Sequence, residues 1–275
     1  MTSYLAKLGL TPEPPSVQGL HRLHAAHVER VSYEIFEDQI GLPTSAEPDD
    51  VEKRIVHHRR GGNCYQLNLI FAKLLASLGY SVQLHRSDVR YTEDDLSPLR
   101  CTHVCLTVGP FPEDPDTRWL ADVGLGDGLH QPLPLRVGDH RQGPFAYRLA
   151  PSPVVDGGWR FFHDPRGSVF SVDISPETSP AAEFVELHRA RANLRPISAA
   201  LRRHANGSDT LRALTLTRWM GEECETSRLS SRAEWFDALD GIFDVGLDDL
   251  SEHDRDRLWA SLNSQQEQLD RFSWR

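Results

Sequence analysis

Cysteine is scarce in this chain of 275 residues, which has four, at positions 64, 101, 105 and 224. If 101–105 is a strand, Cys101 and Cys105 lie roughly 13 Å apart on one face, too far to bridge. A disulfide scaffold is therefore not expected. Long apolar runs are also missing. The opening MTSYLAKLGLTPEPP holds no stretch of secretory-signal length, and nothing later is long enough to span a bilayer. The expectation is a cytoplasmic protein with reduced thiols and no membrane partner. A basic excess is lacking too: 40 acidic residues against 30 basic ones give a formal net charge of −10, which argues against a hold on nucleic acid or an anionic surface. No internal repeat, low-complexity tract or long linker marks a clean boundary.

What is present is ordinary for a globular protein. Apolar residues make up 39% and charged residues 25%, and the length allows one large domain or two or three small ones. In residues 16–31, Val17, Leu20, Leu23, His24, His27 and Val31 recur at helical spacing. His21, His24 and His27 invite a metal reading, but no carboxylate or cysteine joins them at a metal-site spacing. Residues 49–58 suggest a second short helix. From Cys64 the pattern sharpens: Leu67, Ile70, Phe71, Leu74, Leu75 and Leu78 give one apolar stripe, and Gly79 is a natural stop, so a helix is predicted from Cys64 to about Leu78.

Beyond Gly79 the period becomes alternating. Residues 81–91, 101–109 and 117–126 read as strands, and shorter ones are expected in 133–137, 145–151 and 158–164. A mixed segment follows over 175–198, with helices expected at 231–240 and 251–269. The order is helical, then β-rich, then mixed.

RRGGNCYQLN, residues 59–68, places Cys64 at the start of the patterned helix, after two glycines. A thiolate there meets the positive end of the helix dipole and unpaired N–H groups. Gly61 and Gly62 would let the backbone turn sharply and leave room beside the sulfur. The plain alternative is a loop followed by a small buried residue. His103 shifts the balance, because Val104, Leu106 and Val108 form one face and leave His103 on the other with Cys101 and Cys105. In RWLADVGLG, Trp119, Ala121 and Val123 leave Asp122 opposite, and a buried carboxylate needs a partner such as an imidazole N–H. Cys, His and Asp then supply nucleophile, base and orienter. A zinc site is the rival use of these three side chains, weakened by having only three ligands and no CxxC pair.

RGGNCYQLN at 60–68, THVCL at 102–106 and DVGLG at 122–126, extended by HVERVSYEIFEDQIGLP at 27–43 and HQPLPL at 130–135, resemble the arylamine N-acetyltransferases. The resemblance implies a Cys64–His103–Asp122 triad and an α+β fold: a helical bundle over 1–84, a β-barrel over 85–190 and an α/β lid over 191–275, with a papain-like core. It implies acyl transfer, usually of acetyl from acetyl-CoA, through a cysteine thioester to an arylamine, hydrazine or related nitrogen. No permanently bound cofactor and no metal are implied. The cosubstrate is acetyl-CoA or another acyl thioester, and the partner is a small-molecule amine. Arg60 is expected to pair with a carboxylate, and Gln66 and Asn68 to orient loops.

Leu125 stands where family members commonly carry an aromatic residue, and with Gly124 and Gly126 it is expected to border the acceptor. Its aliphatic side chain keeps open an amide synthase that releases a chain from an acyl carrier protein. A cysteine hydrolase would use the same triad. Arg202, Arg203 and Arg212 form a basic stretch with two readings, phosphate contacts or exposed helix charges. The residues that meet CoA are not assigned by the sequence.

Overall fold

The computed structural model describes residues 1–190 and 197–272. Five helices dominate the first third: α1 (Thr2–Lys7), α2 (Val17–Arg30), α3 (Phe36–Gln39), α4 (Pro48–His58) and α5 (Cys64–Ser77), with the short strand β1 (Tyr33–Glu34) before α3. The expected boundaries of α2, α4 and α5 hold within a residue. Ser16 caps α2 by accepting from Gly19 N at 3.0 Å, and Pro48 occupies the first turn of α4, where its missing N–H costs nothing.

Eight strands follow in one antiparallel, nearly closed, barrel-like sheet: β2 (Val82–Arg90), β3 (His103–Val108), β4 (Trp119–Ala121), β5 (Leu133–Pro134), β6 (Gly138–Gln142), β7 (Phe145–Pro151), β8 (Trp159–Phe162) and β9 (Ser171–Thr178). Their order is β5-β4-β3-β2-β9-β8-β7-β6. The interior packs Leu120, Leu129, Phe145, Leu149, Phe161 and Val172. β4 is shorter than its apolar pattern suggests, because the chain leaves the sheet at Asp122.

After α6 (Ala181–Ala190) comes a meander of β10 (Ala199–His204), β11 (Gly207–Arg212), β12 (Thr215–Met220) and β13 (Glu223–Arg228), then α7 (Arg232–Phe243) and α8 (Glu252–Phe272). Part of the mixed segment expected over 175–198 falls at 191–196, outside the described residues. β1 joins this second sheet beside β10, with Tyr33 opposite Leu201. The N-terminal segment thus packs against the C-terminal one, and Phe36 shares a core with Trp235, Leu239 and Leu258.

α5 differs from expectation in one respect. It is buried on nearly every side rather than along a stripe, since Cys64, Tyr65, Gln66, Asn68, Leu69 and Ala72 are also covered. α4, β2, β3 and α6 all pack against it. Apart from Leu69, which joins an apolar cluster with Tyr65 and Val104, the extra faces carry small groups or polar tips that find partners, which makes central burial tolerable.

Candidate active site

Cys64 is the first residue of α5, and the chain fixes it there with a reciprocal cap. Asn63 Oδ1 accepts from Tyr65 N at 3.1 Å and Gln66 N at 3.4 Å, while Gln66 Oε1 accepts from Asn63 N at 2.9 Å. Gln66 Nε2 also donates to Ser45 O at 2.8 Å, so this side chain orients a loop as expected. The thiol is 3% exposed and lies 3.7 Å from Thr102 O. The two glycines have another purpose than a sharp turn. A Cβ on Gly61 would sit 1.9 Å from Ser32 O, and one on Gly62 would sit 2.8 Å from Gln66 Oε1. They let the strand at Tyr33 and the cap close on the backbone, with Glu34 N donating to Gly62 O at 3.0 Å. Arg60, fully buried, pairs with Glu34 and Glu37 at 3.0 Å and Asp249 at 3.1 Å.

His103 opens β3, and its Nε2 lies 2.6 Å from Asp122 Oδ2. Both carboxylate oxygens are saturated with donors. Oδ1 accepts from Asn68 Nδ2 and Gly124 N, each at 2.9 Å, and Oδ2 also accepts from the Cys105 thiol at 3.3 Å. Burial works against the charged forms of both residues, but the pair overrides it. Asp122 and Cys105 hold the His103 imidazolium well above the usual histidine range, and His103, Asn68 and Gly124 hold Asp122 below the usual carboxylate range. Burial first, then Asp122, pushes the Cys105 thiol up to about 11, so it remains a donor. Cys101 departs from the expected strand face. It precedes β3 in a left-handed turn (φ 58°), and its carbonyl accepts from the Tyr65 hydroxyl.

Two further residues support the pair, Asn68 at the end of the first motif and His24 outside the motifs. Asn68 ties α5 to both strands: besides Asp122, its amide donates to Val104 O at 2.7 Å and its oxygen accepts from Val123 N at 3.0 Å. His24, from the histidine-rich helix, accepts from the Asp122 backbone N–H at 3.2 Å and donates from Nδ1 to His130 O at 3.1 Å. That neutral tautomer matches a ring whose burial brings its pKa down to about 4. His21 meets Trp119 edge to face and His27 bonds the Tyr4 hydroxyl, so each histidine of the trio has a separate structural contact. Among the described residues, His103, Cys105 and Asp122 place ligand atoms within 4.8 Å of one another. This grouping contains Cys105 rather than Cys64, and its carboxylate is already occupied by four donors.

Cys64 and His103 line one cavity of about 510 Å³ with Gly124, Leu125 and Tyr33. Gly124 is a close-approach position, since a Cβ there would meet Asn68 Nδ2 at 2.5 Å and the Cys64 Cα at 2.8 Å. Gly126 does not line the cavity. With φ 80° it packs against Tyr33 and Leu201, leaving no room for a side chain. The arginine trio separates: Arg202 and Arg203 belong to β10, not to a helix, and Arg203 is buried over the Phe145 ring. Arg212 is exposed and reaches the cavity. Residues the sequence did not flag include His188 of α6, which lies on the cavity wall, bonds Asn63 Nδ2 at 3.2 Å and contacts Thr44 O at 3.1 Å. Asp127 is another. It receives Ser168 N at 2.7 Å and Ser168 Oγ at 2.9 Å, which fixes the loop beside the cavity.

The family model described as N-acetyltransferase matches residues 16–251. The chain belongs to that family. A Mycolicibacterium smegmatis arylamine N-acetyltransferase is 28% identical over 277 residues, covering 91% of this chain and 94% of that protein. The solved Nocardia farcinica arylamine N-acetyltransferase superposes with a TM-score of 0.82 at 26% identity, covering 95% of this chain and 94% of that one. The Mycobacterium marinum arylamine N-acetyltransferase in complex with CoA gives 0.83 at 25% identity, covering 96% and 98%. The resemblance drawn from the three motifs is borne out. No helix among the described residues is long and apolar enough to cross a membrane.

Proposed function

We propose that this N-acetyltransferase moves an acetyl group from acetyl-CoA to an arylamine through a thioester on Cys64. The observation that carries the reading is one cavity bordered by a thiol at a helix N-terminus and by an imidazole whose far nitrogen is bound to a buried carboxylate. His103 uses Nε2 on Asp122, which leaves Nδ1 to exchange a proton with Cys64. With Asp122 beneath it the imidazolium persists, and an imidazolium beside a thiol favours the thiolate. The thiolate attacks the thioester carbonyl. The Cys64 S–C bond forms, the CoA sulfur leaves and takes the proton from His103. The arylamine nitrogen then attacks the acyl-enzyme, the C–S bond breaks, His103 accepts the amine proton, and the thiolate is restored. The 14-residue α5 turns its positive end toward the oxyanion of each tetrahedral intermediate.

A thiol on a helix start, a histidine on one strand and an aspartate just past the next support the papain-like arrangement implied by the resemblance, with the C-terminal sheet and helices in the place of a lid. The relatives reported above are named for arylamine acetylation, which favours this reading over release of a carrier-bound chain or hydrolysis. Brief incubation with acetyl-CoA followed by peptide mass mapping is expected to place the acetyl group on Cys64. The same exposure of His103→Ala is expected to give a rate of acetylation lower by about 10²–10⁴, the range of proton-transfer catalysis. Acetyl found on Cys101, Cys105 or Cys224 with Cys64 free would overturn the assignment.

A further inference from the structure

Asp38 of α3 lines the same cavity as Cys64 and His103, together with Tyr33, Ile35 and Leu201. It is the last of three acidic residues in that segment, and its situation differs from the other two. Glu34 is bound by Arg54 and Arg60, and so is Glu37; Arg60 also holds Asp249. Two guanidinium groups thus serve three carboxylates before Asp38 is considered. Among the described residues no hydrogen bond or ion pair reaches the Asp38 carboxylate. Burial, then Glu34 and Glu37, push the carboxyl up to about 6, with Arg54 opposing. A half-buried carboxylate that still ionises at neutral pH, set in the lining of a substrate cavity and bound by no ion pair among the described residues, is complementary to a positive charge.

Among the described residues, no other cation at the cavity is paired with Asp38. Arg100 is engaged with Asp88 at 3.1 Å and Asp95 at 3.2 Å. Arg212 is exposed on β11. Burial lowers the pKa of His188 below the usual histidine range.

We propose that Asp38 selects acceptor arylamines that carry a second, cationic group, such as an amidinium, guanidinium or alkylammonium, away from the nitrogen that is acetylated. This rests on the arylamine N-acetyltransferase reading of the cavity. The ring occupies the apolar wall of Tyr33, Ile35 and Leu201, and the cation meets the Asp38 carboxylate. Asp38 is a specificity residue and takes no part in the acyl exchange at Cys64.

The test uses three acceptors of similar shape with one donor, acetyl-CoA: 4-aminobenzamidine, 4-aminobenzamide and 4-aminobenzoate. The amidine and the amide both withdraw electrons from the ring, so their ratio of kcat/KM reports the charge. The wild-type protein is expected to prefer amidine over amide over benzoate. In Asp38→Asn the amidine-to-amide ratio is expected to fall about tenfold and the benzoate-to-amide ratio to rise, whereas Asp38→Glu keeps the wild-type order. Ratios that stay put in Asp38→Asn overturn the proposal. A wild-type preference for the benzoate over the amidine overturns it as well, even if the variants fail to fold. Failure of acetyl-CoA to label Cys64 would instead remove the underlying acetyltransferase reading, so the two failures are distinguishable.

Discussion

At the scale of single residues, Leu125 is where the ring surface offered to an acceptor can be tested. It follows Gly124 in the turn after Asp122, borders the cavity, and rests in the barrel core with Leu120 and Leu129 at 7% exposure. An aromatic side chain there would add an edge or face for an arylamine to stack on, worth roughly 0.5–1.5 kcal/mol beyond area alone. Since about 1.4 kcal/mol is a factor of ten, Leu125→Phe is expected to raise the ratio of kcat/KM for small arylamines over aliphatic amines by up to about tenfold. Acetylation of Cys64 by the donor should be unchanged, because the thiol and His103 are held by α5 and β3. Steady-state rates with one donor and paired aryl and alkyl acceptors check this. An unchanged ratio would mean that position 125 does not touch the acceptor.

At the level of elements, the site depends on how closely the turn after β4 approaches the N-terminus of α5. Gly124 makes that approach possible, and Gly124→Ala forces a Cβ against Asn68 Nδ2 and the Cys64 backbone. Overpacking of this kind costs about 1–3 kcal/mol, which for a chain of this size is a fall in Tm of roughly 2–12 °C. Calorimetry and acetylation rate are expected to fall together, because the displaced turn carries Asp122 away from His103. A normal Tm with full activity would refute the packing argument. The elements meeting here were readable in advance for local reasons: Leu67 to Leu78 repeat at helical spacing, and Gly79 stops the helix. FAYRLAP alternates cleanly and forms β7 over the predicted residues. The meander β10–β13 was not readable, because its signals are not local. β13 is exposed along its whole length, and β10 buries Arg203 where a strand pattern calls for an apolar residue. Asp38 was hidden in a four-residue helix too short to show a period, and the bond from His24 to Asp122 spans 98 positions.

For the molecule as a whole, the buried histidines of α2, one of which supports the site, make the fold sensitive to acid. Burial lowers His24 to about 4 and, with a small push from His24, His27 to about 3. Each folded value lies below the unfolded value near 6.5, so the stabilising effect is complete above pH 6.5 and is lost as pH falls toward the folded value. At pH 5 the unfolded chain has taken up these protons and the native one has not. At 1.36 kcal/mol per unit over about 1.5 units, each ring then costs the fold about 2 kcal/mol. His21, His85, His130 and His188 shift the same way, all first through burial. His103 and His163, both raised, and the raised carboxyl of Asp38 act in the opposite sense but are fewer. Urea unfolding is therefore expected to show lower stability at pH 5 than at pH 7.5. His27→Gln separates this cause from a general charge effect. It removes one buried ring that bonds the Tyr4 hydroxyl, so it lowers stability at both pH values, but the difference between them should shrink by about 2 kcal/mol. If the drop from pH 7.5 to pH 5 is as large in His27→Gln as in the wild type, the acid sensitivity has another source than this histidine.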